Sequence, residues 1–578
     1  MVLLAENGSK GLRVFDLAND FKEVEAFKPE TGKGVRLFEW SHCGKLFAYC
    51  NNIETVVVST ADWSVISRLP ISRAVFFKWS PNADQLVSFH QYYETKDNPN
   101  PGPNVKFFGI PSGEEMGGFI HRGSVEGWEP NWTSDSNFLL RKIGPQLMTY
   151  ARSSPTTVLN KLKVENIMIH SVAPGRPPYK VAVFGKSSKR GDPAFVRIHR
   201  LPELKDKMAQ KCFYKADTCD FNWSPSGKDL LALTATETST ESYYGENTLY
   251  LLNAQKGESQ SVELKKKGPI YQIEWSPDSE YFCAVYGFMP AKATLYDNKG
   301  NINFDYGTGP RNTCHFNPQG SLLMIAGFGN LRGKMECWDV RKKEKISEPE
   351  APDTTNFHWS PDGEHYIWAT TAPRLRVGNG WKISHYHGEL KHDRPYPTGD
   401  KIELWKVGFQ PNQRAKQFEI TKPSKQLKQK QEAEKPKGYV PPHARGRKDY
   451  NAKIRENEKP SDPNAAIEAV IDAKNKPKSG QPELTASQLK NKKRKEAKRR
   501  QAEEKENEEK IAKEEAAKKI SEPVPPTTGN EARKIQKKLN AIESLKTRLA
   551  AGEMLEKDQL EKIKGEEGLR DQLKKLKL

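Results

Sequence analysis

Signatures of catalysis are missing from this 578-residue sequence. It contains no G-x-S-x-G nucleophile elbow, no G-x-x-x-x-G-K-[ST] phosphate loop, no H-E-x-x-H zinc motif and no dinucleotide-binding fingerprint. Because the sequence contains no recognisable motif for a nucleophile, a metal-ligand set or a phosphate loop, it predicts a protein that is not an enzyme and that uses no cofactor or metal.

Cysteines and long apolar runs are also scarce. The seven cysteines are odd in number and form no Cys-x-x-Cys, so we expect buried, reduced thiols rather than disulfides or a zinc site. No stretch approaches 18 uninterrupted apolar residues, and no cationic segment precedes the short N-terminal run MVLLA. The sequence therefore predicts a cytoplasmic protein with no membrane contact and no signal peptide.

Aromatic residues almost disappear after residue 410. Of 55 Phe, Trp and Tyr residues, three lie beyond this point: Phe418, Tyr439 and Tyr450. Residues 1–410 hold 50 Lys and Arg against 46 Asp and Glu, whereas residues 411–578 hold 43 against 28. A segment so charged and so poor in large apolar side chains cannot bury enough surface to offset its ordering entropy. We therefore predict a globular body over residues 1–415 and a largely disordered, basic tail.

The body repeats one short phrase. WSPDGEHYIWA begins at Trp359, and related phrases begin at residues 40, 79, 132, 223, 275 and 316. A weaker copy, VAPGRPPYKVAVF, occupies residues 172–184, and VGFQPNQ around Phe409 supplies a ninth. The mean spacing of about 46 residues is typical of propellers or of helical arrays.

The chemistry of each unit decides between these two architectures. An anchor aromatic is followed by Ser-Pro or Asn-Pro, then by an acidic or small residue with glycine, and then by a short β-forming run. Pro-Asp-Gly favours a tight turn and the flanking runs favour strands, so each unit is a hairpin. We predict an all-β fold, a nine-bladed WD40-like β-propeller whose anchor aromatics fill the space between neighbouring blades.

A further strand is predicted to close each unit. Eight such strands follow the anchors: Glu54–Val58, Val105–Phe108, Gln146–Tyr150, Val196–His199, Leu249–Leu252, Thr294–Tyr296, Met335–Trp338 and Lys382–Tyr386. The ninth, Leu12–Asp16, precedes the first anchor. We therefore expect the N-terminal strands to complete the blade begun at Phe409. Pairing the two ends in this way closes the ring and removes free strand edges.

Two long polar segments interrupt the predicted strands, Tyr92–Asn104 and Thr234–Asn247. Loops on a rigid scaffold often bind partners, which is the functional interpretation of both segments. A solvated blade loop is the alternative interpretation.

The tail begins with a Lys-, Gln- and Pro-rich linker, predicted over residues 416–484. It contains the sequence GYVPPHARGRK. The two prolines favour an extended polyproline segment, while an aromatic ring and an arginine supply stacking and charge. We predict a linear docking motif formed by Tyr439, Pro441, Pro442 and Arg445, with an inert linker as the alternative.

A charged segment follows over residues 485–520. It is rich in strong helix formers and has almost no apolar stripe, which predicts a solvated helix. Such charge density can follow a phosphate backbone and release counterions. Seven cations are therefore predicted to contact RNA or the ribosome: Lys492, Lys493, Arg494, Lys495, Lys498, Arg499 and Arg500. A nuclear-localisation signal and a solvated face are the alternatives.

Residues 530–578 predict two amphipathic helices. Asn530 is a suitable N-cap for the first, and Ala551-Gly552 separates the pair. The two stripes can pack on each other as a helical hairpin, or they can dock onto the ribosome or another protein. The apolar positions at helical spacing are Ile535, Leu539, Ile542, Leu545, Leu549, Leu560 and Ile563.

These features together resemble a known family. The Trp-Ser-Pro-like repeats, the basic tail and the C-terminal sequence KKLNAIESLKTRLAAGEMLEKDQLEKI are closely similar to the family of eukaryotic translation initiation factor 2A. This is the single-chain factor, not the alpha subunit of the trimeric GTP-binding factor 2. The resemblance covers nearly the whole chain, and the Leu, Ile, Glu and Lys pattern of residues 537–563 is its most specific part.

The resemblance implies a nine-bladed propeller that binds the small (40S) ribosomal subunit. It also implies codon-dependent, GTP-independent placement of initiator methionyl-tRNA on a subset of mRNAs. The implied partners of this monomer are the small ribosomal subunit, initiator methionyl-tRNA, mRNA and other initiation factors. The basic run Lys492–Arg500 and the terminal helices carry over as contacts with the ribosome or RNA. A propeller scaffold for messenger-ribonucleoprotein or ribosome-associated assembly is the alternative.

Overall fold

The first part of the chain forms a propeller. The computed structural model describes Leu539, Ile542, Lys546, Glu566 and residues 2–427, the latter except 30–33, 73, 95–99, 124, 165, 187–191, 215, 237–245, 398–401, 412–416 and 425. The chain divides into two compact units, Met1–Lys437 and Gly438–Leu578. Within the first unit, the described residues form nine four-stranded antiparallel sheets. The predicted nine-bladed propeller is confirmed.

The strands are numbered along the chain. Blade 9 combines both ends of the propeller sequence: β1 (Leu3–Gly8), β2 (Gly11–Asp16), β3 (Lys22–Glu23) and β36 (Leu404–Phe409). Blades 1 and 2 contain β4 (Leu37–Trp40), β5 (Leu46–Cys50), β6 (Thr55–Ser59), β7 (Val65–Leu69), β8 (Phe76–Trp79), β9 (Gln85–Phe89), β10 (Val105–Gly109) and β11 (Glu115–Phe119). A short 3-10 helix, Leu17–Asn19, follows β2.

Blades 3 to 8 continue the same order. Blades 3 and 4 contain β12 (Asn131–Trp132), β13 (Phe138–Ile143), β14 (Gln146–Ala151), β15 (Ser154–Lys163), β16 (Ile167–Val172), β17 (Lys180–Gly185), β18 (Ala194–Arg200) and β19 (Lys207–Phe213). Blades 5 and 6 contain β20 (Thr218–Trp223), β21 (Asp229–Thr236), β22 (Glu246–Asn253), β23 (Ser259–Ser261), β24 (Ile270–Trp275), β25 (Tyr281–Tyr286), β26 (Ala291–Asp297) and β27 (Ile302–Gly309). Blades 7 and 8 contain β28 (Thr313–Phe316), β29 (Leu322–Ala326), β30 (Met335–Asp339), β31 (Glu344–Ser347), β32 (Asn356–Trp359), β33 (His365–Thr370), β34 (Gly380–His385) and β35 (Leu390–Pro395).

The ring closes between the two ends of the propeller sequence. β1 pairs with β36 in antiparallel register, with Leu4 opposite Phe409 and Glu6 opposite Val407. β2 then pairs with β1 and contains the predicted strand Leu12–Asp16. The predicted closure by the N-terminal strands is confirmed. In each of the nine blades formed by the described residues, the first strand is hydrogen-bonded to the second.

Five anchor tryptophans each connect their blade to the one before it. In five blades the indole Nε1 donates to the carbonyl oxygen of the residue that precedes the previous anchor. These bonds join Trp40 to Gly408 (3.3 Å), Trp79 to Glu39 (3.4 Å), Trp223 to Ser171 (3.4 Å), Trp275 to Asn222 (3.1 Å) and Trp359 to His315 (3.0 Å). The repeated Trp therefore both fills the space between blades and satisfies a carbonyl of the neighbouring blade.

In six blades the side chain of the residue after the anchor closes the turn. In blade 6, Ser276 Oγ accepts a hydrogen bond of 3.0 Å from the Tyr281 amide, where the second strand begins. The same bond recurs at Ser41, Ser80, Thr133, Ser224 and Asn317. The fourth residue after the anchor has a left-handed backbone, with φ of 77° at Gly363 and 65° at Ser279. This conformation explains the glycine of the Ser-Pro-Asp-Gly phrase.

The alternation of strand direction gives the propeller two distinct faces. First strands run towards the Ser-Pro-Asp-Gly turns, so these turns and the hairpins between third and fourth strands lie on one face, here called the turn face. The opposite face, called the loop face, carries the connections from second to third strands and from one blade to the next. The first strands of neighbouring blades, such as β24 and β28, contact each other and surround the axis.

The apolar core lies between blades. Each core cluster is shared by neighbouring sheets; one contains Met324 and Cys337 of blade 7 together with Tyr366 and Tyr386 of blade 8. Fourth strands such as β35 are mostly exposed. The sheets are therefore held mainly by packing of adjacent blades over their inner three strands.

Candidate functional site

Most of the predicted tail sites lie outside the described residues. Leu539 and Ile542 are described, both are helical, and Ile542 is buried. Lys546 and Glu566 are also helical, with Lys546 Nζ 2.5 Å from Glu566 Oε2. The helical hairpin and its docking role stay predictions. The remaining predicted residues fall outside the description: Tyr439, Pro441, Pro442, Arg445, Lys492–Arg500, Ile535, Leu545, Leu549, Leu560 and Ile563.

The beginning of the tail is held by the propeller. Residues 417–424, which we call the strap, lie against blades 7 and 8. The Phe418 ring packs against the Tyr386 ring at a centroid distance of 5.7 Å, and Ile420 joins the same apolar cluster. The Tyr386 hydroxyl accepts a hydrogen bond of 3.1 Å from the Thr421 amide. The chain after β36 therefore returns to the propeller instead of leaving it at once.

Polar contacts fix the strap to the turn face. Lys422 Nζ lies 2.6 Å from Glu344 Oε2, and this hydrogen bond lowers the pKa of the Glu344 carboxyl. His387 Nε2 lies 2.8 Å from the Thr421 carbonyl oxygen. Glu344 begins β31 of blade 7, whereas His387 lies in the hairpin after β34 of blade 8. The strap thus joins two neighbouring hairpins, and the tail starts from the turn face.

Exposed apolar side chains concentrate on the opposite face. Of 19 exposed large apolar residues among those described, 14 lie on the loop face or at strand ends beside it: Ile53, Val75, Phe76, Tyr93, Ile120, Val125, Ile143, Met168, Tyr214, Tyr271, Phe288, Met289, Val377 and Trp405. Scattered exposed apolar residues are normal, but their concentration on one face is typical of an interaction surface.

The loop face of blades 6 to 8 is also basic. Its described connections hold eight Lys and Arg against four Asp and Glu, counted over residues 262–269, 287–290, 310–312, 327–334, 348–355 and 371–379. Two of the eight cations are neutralised within the fold: Arg311 by the buried Glu336 and Lys334 by Glu348. Five of the others, Lys266, Lys267, Arg332, Arg374 and Arg376, are here called the cationic arc.

Two loops of the cationic arc depend on glycine. The side chain of Lys266 crosses Gly287, where its Cγ lies 2.7 Å from the position that a Cβ would take. Arg374 likewise lies over Gly329 of the preceding blade, with Nη2 2.9 Å from that position. Both glycines also have positive φ, 92° and 74°. A side chain at either glycine would displace a cation of the arc, so the backbone helps to position the charge.

Within the described residues, the structure shows no arrangement for metal chemistry. No group of three or more His, Cys, Asp or Glu side chains is placed to hold a metal ion in this part of the chain. All seven cysteines are free; five are buried, whereas Cys212 is exposed. Over the same residues, no helix is long and apolar enough to cross a bilayer.

Comparisons with known proteins establish the family. A family profile described as "Eukaryotic translation initiation factor eIF2A" matches residues 211–407, and one described as "Eukaryotic translation initiation factor 2A C-terminal domain" matches residues 530–576. The eukaryotic translation initiation factor 2A of Drosophila melanogaster is 33% identical over 602 residues, which cover 95% of this chain and 93% of the fly protein. The chain belongs to the eukaryotic translation initiation factor 2A family.

Two further similarities agree with membership of the factor 2A family. The Caenorhabditis elegans protein of the same name is 32% identical over 581 residues, covering 96% of this chain and 95% of its own. A solved structure described as "Crystal structure of the eukaryotic initiation factor" superposes with a TM-score of 0.64 at 29% identity. It covers 71% of this chain and 99% of the solved chain. The resemblance found in the sequence is confirmed.

Proposed function

We propose that this member of the factor 2A family binds the small (40S) ribosomal subunit. There it promotes codon-dependent, GTP-independent placement of initiator methionyl-tRNA on a subset of mRNAs. The observation that carries the proposal is the similarity to a translation initiation factor over 95% of the chain. In this proposal the protein acts in the cytoplasm as a non-enzymatic platform, and its partners are the small subunit, initiator methionyl-tRNA, mRNA and other initiation factors.

The charge distribution supports RNA contact by the tail. Residues 411–578 hold 43 Lys and Arg against 28 Asp and Glu, and seven of these cations fall between Lys492 and Arg500. Cations at this density neutralise phosphates and release counterions, so binding weakens as salt rises. The strap supports a division of roles, because it begins the tail at a fixed place on a rigid propeller.

The experiment compares full-length proteins in sedimentation with purified small subunits between about 50 and 200 mM salt. In one variant the seven cations of the basic run are replaced by Gln. In the matched control, seven lysines elsewhere in the tail are replaced by Gln: Lys435, Lys437, Lys505, Lys510, Lys513, Lys518 and Lys519. We expect the first variant to lose at least about tenfold in affinity and the control to lose less than about threefold.

Two outcomes would count against the proposal. Equal binding by the unmodified protein and the basic-run variant at every salt concentration would remove the tail contact. Failure of the unmodified protein to bind small subunits without added factors would favour the scaffold alternative. Placement itself is measured by retention of labelled initiator methionyl-tRNA on small subunits with an AUG-containing mRNA in the absence of GTP. Retention should require both the protein and the codon.

A further inference from the structure

We propose that the cationic arc, together with the exposed rings of Tyr271 and Phe288, binds single-stranded RNA on the loop face of the propeller. The arginines and lysines would contact phosphates, and the rings would stack on bases. This assigns an RNA site to the propeller itself. It goes beyond the proposed function, in which RNA contact belongs to the tail.

Cations outnumber acidic groups by eight to four on the connections that carry the arc. Of the four acids on these connections, Glu348 already pairs with Lys334 and Lys345. Arg376 has one carboxylate neighbour, Glu403, at 3.4 Å from its Nε, and its side chain stays 71% exposed. The positive potential of this sector therefore faces solvent, where it can attract phosphates.

The rings are held beside the cations by the backbone. The Phe288 amide donates a hydrogen bond of 3.1 Å to the Lys267 carbonyl oxygen. This bond holds residue 288 beside the lysine segment. Tyr271 is the second residue of β24, at the register shift between Ile270, which pairs with Tyr286 of β25, and Gln272. Phe288 is 44% exposed and Tyr271 is 38% exposed. Exposed rings next to cations are the arrangement by which single strands are bound without sequence preference.

The site extends continuously over three blades. Ala291, two residues after Met289, pairs with Gly309 at the end of blade 6. The following carbonyl, of Pro310, packs directly against Gly327 in the next blade. From there the loop leads to Gly329, over which Arg374 of blade 8 lies. A single strand can therefore follow the loops from the lysines of blade 6 to the arginines of blade 8.

The amount of apolar surface favours RNA over a protein partner. Large exposed apolar side chains on the arc are few among the described residues: Tyr271, Phe288, Met289 and Val377. A stable protein interface needs about 800 Å² from each partner with a well-packed apolar centre. Single-stranded RNA needs a charged track and a few ring faces instead. Charge complementarity and isolated rings thus identify the occupant as RNA.

The test uses full-length protein whose seven basic-run cations are replaced by Gln, so that the tail does not mask the arc. The probe is a fluorescein-labelled 12-residue polyuridine RNA, followed by anisotropy over a salt series. The arc variant carries Arg332→Gln, Arg374→Gln and Arg376→Gln. A matched control carries Lys28→Gln, Arg36→Gln and Lys142→Gln, which are exposed cations on the loop face of other blades. Phe288→Ala tests stacking.

We expect the arc variant to lose at least about tenfold in affinity at low salt, and its log–log salt slope to become shallower by about 2. The control should change by less than about twofold. Phe288→Ala should lose about tenfold with the salt slope unchanged, because a stacking contact releases no counterion. Melting curves check folding, and Lys266→Gln with Lys267→Gln replaces the arc variant if Arg376→Gln destabilises the blade.

Three results would overturn the proposal. The first is an arc variant that binds polyuridine within twofold of its parent, and the second is an equal loss in the control. The third requires a second probe, labelled poly-glutamate. If the arc variant keeps its affinity for polyuridine but loses its affinity for poly-glutamate, the arc binds an acidic protein instead. None of these results depends on small subunits. Failure of the arc and failure of the proposed ribosomal function are therefore distinguishable.

Discussion

Trp275 Nε1 donates a hydrogen bond of 3.1 Å to the carbonyl oxygen of Asn222, the residue before the anchor of the preceding blade. Four other anchors make the same bond, but Trp132 does not. Its Nε1 is buried and has no hydrogen-bond partner among the described residues. One repeated residue therefore plays two roles in most blades and a single role, packing, in blade 3.

This difference predicts unequal effects of removing the indole nitrogen. Trp275→Phe should lower the free energy of unfolding by about 1–3 kcal/mol beyond the cost of lost packing, because the Asn222 carbonyl loses its donor. Trp132→Phe removes an indole of the same size without breaking such a bond, and so it serves as the control. Urea unfolding followed by fluorescence measures both. Equal losses would show that the hydrogen bond contributes nothing.

A buried carboxylate connects blades 8 and 9. Glu6 of β1 is 0% exposed, and it accepts a hydrogen bond of 2.6 Å from Trp381 Nε1. Arg394 Nε lies 3.3 Å and Arg13 Nε 3.7 Å from the same carboxylate. Glu6→Ala should cost about 2–3 kcal/mol of unfolding free energy, because the Trp381 indole loses a charged acceptor and two partly buried arginines lose a counter-charge.

The matched control for Glu6 is an exposed ion pair. Glu94 lies 3.4 Å from Arg122, with both side chains more than half exposed. Glu94→Ala should cost less than about 1 kcal/mol, since water screens such pairs. Urea titration of both variants provides the comparison. A Glu6→Ala protein as stable as the Glu94→Ala protein would contradict the structural role of the buried carboxylate.

The strap should become more dynamic when its hydroxyl partner is removed. Tyr386→Phe deletes the acceptor of the Thr421 amide. A lost hydrogen bond of about 1 kcal/mol should speed local opening roughly fivefold, so exchange of residues 417–424 should quicken by about that factor. Hydrogen exchange with mass spectrometry measures this. Tyr306→Phe is the control, because it lies in blade 6 and its hydroxyl has no hydrogen-bond partner among the described residues. Unchanged exchange in the first variant would rule out a hydroxyl contribution.

The histidines beside the strap predict a dependence of stability on pH. Burial lowers the pKa of His385 to about 4, and the nearby charges of His387, His365 and Lys391 act in the same direction. An unfolded histidine titrates near pH 6.5, so the unfolded chain binds this proton first as the pH falls. Stability should therefore decrease between about pH 6.5 and 4, by about 1–2 kcal/mol from pH 7 to pH 5.

His385→Gln should flatten this part of the profile, because Gln does not titrate. Urea unfolding at pH 7 and pH 5 supplies the two free energies. His42→Gln, in the exposed turn of blade 1, is the control and should keep the unmodified profile. If His385→Gln loses as much stability on acidification as the unmodified protein, another group is responsible.

The blades could be counted from the sequence because their repeated residues meet backbone requirements. Ser276 closes its turn, and Gly363 supplies a left-handed conformation, so both signals recur at fixed spacing. Even blade 4 was visible through Pro and Gly, although Val172 stands where other blades have an aromatic. The spacing is kept there because the Ser171 carbonyl oxygen accepts the hydrogen bond from Trp223 Nε1 of the next blade.

Fourth strands could not be predicted in the same way. β23 (SQS) and β35 (LKHDRP) lie at the outside of their sheets and are mostly exposed. Because water covers much of their surface, no alternation of apolar residues is required. The sequence pattern therefore shows three strands per unit, and the fourth emerges only from backbone pairing with the third.

The two surfaces found here were hidden for a different reason. Lys265–Lys267 and Arg374–Arg376 stand out as charged pieces, but they are more than 100 residues apart, and only the propeller topology places them on one face. In the strap, Phe418 and Ile420 stand among polar residues and look like part of a linker. Their partner Tyr386 is supplied by tertiary structure.

The pairing of β1 with β36 has a consequence for how the protein is made. Leu4 cannot pair with Phe409 until the chain between them has been synthesised. At about 5–20 residues per second the ribosome needs roughly 20–80 s for this. During this time the edge of β1 lacks its partner and can pair wrongly or recruit a chaperone. Since residues 410–578 follow β36, the ring can close while the tail is still being translated.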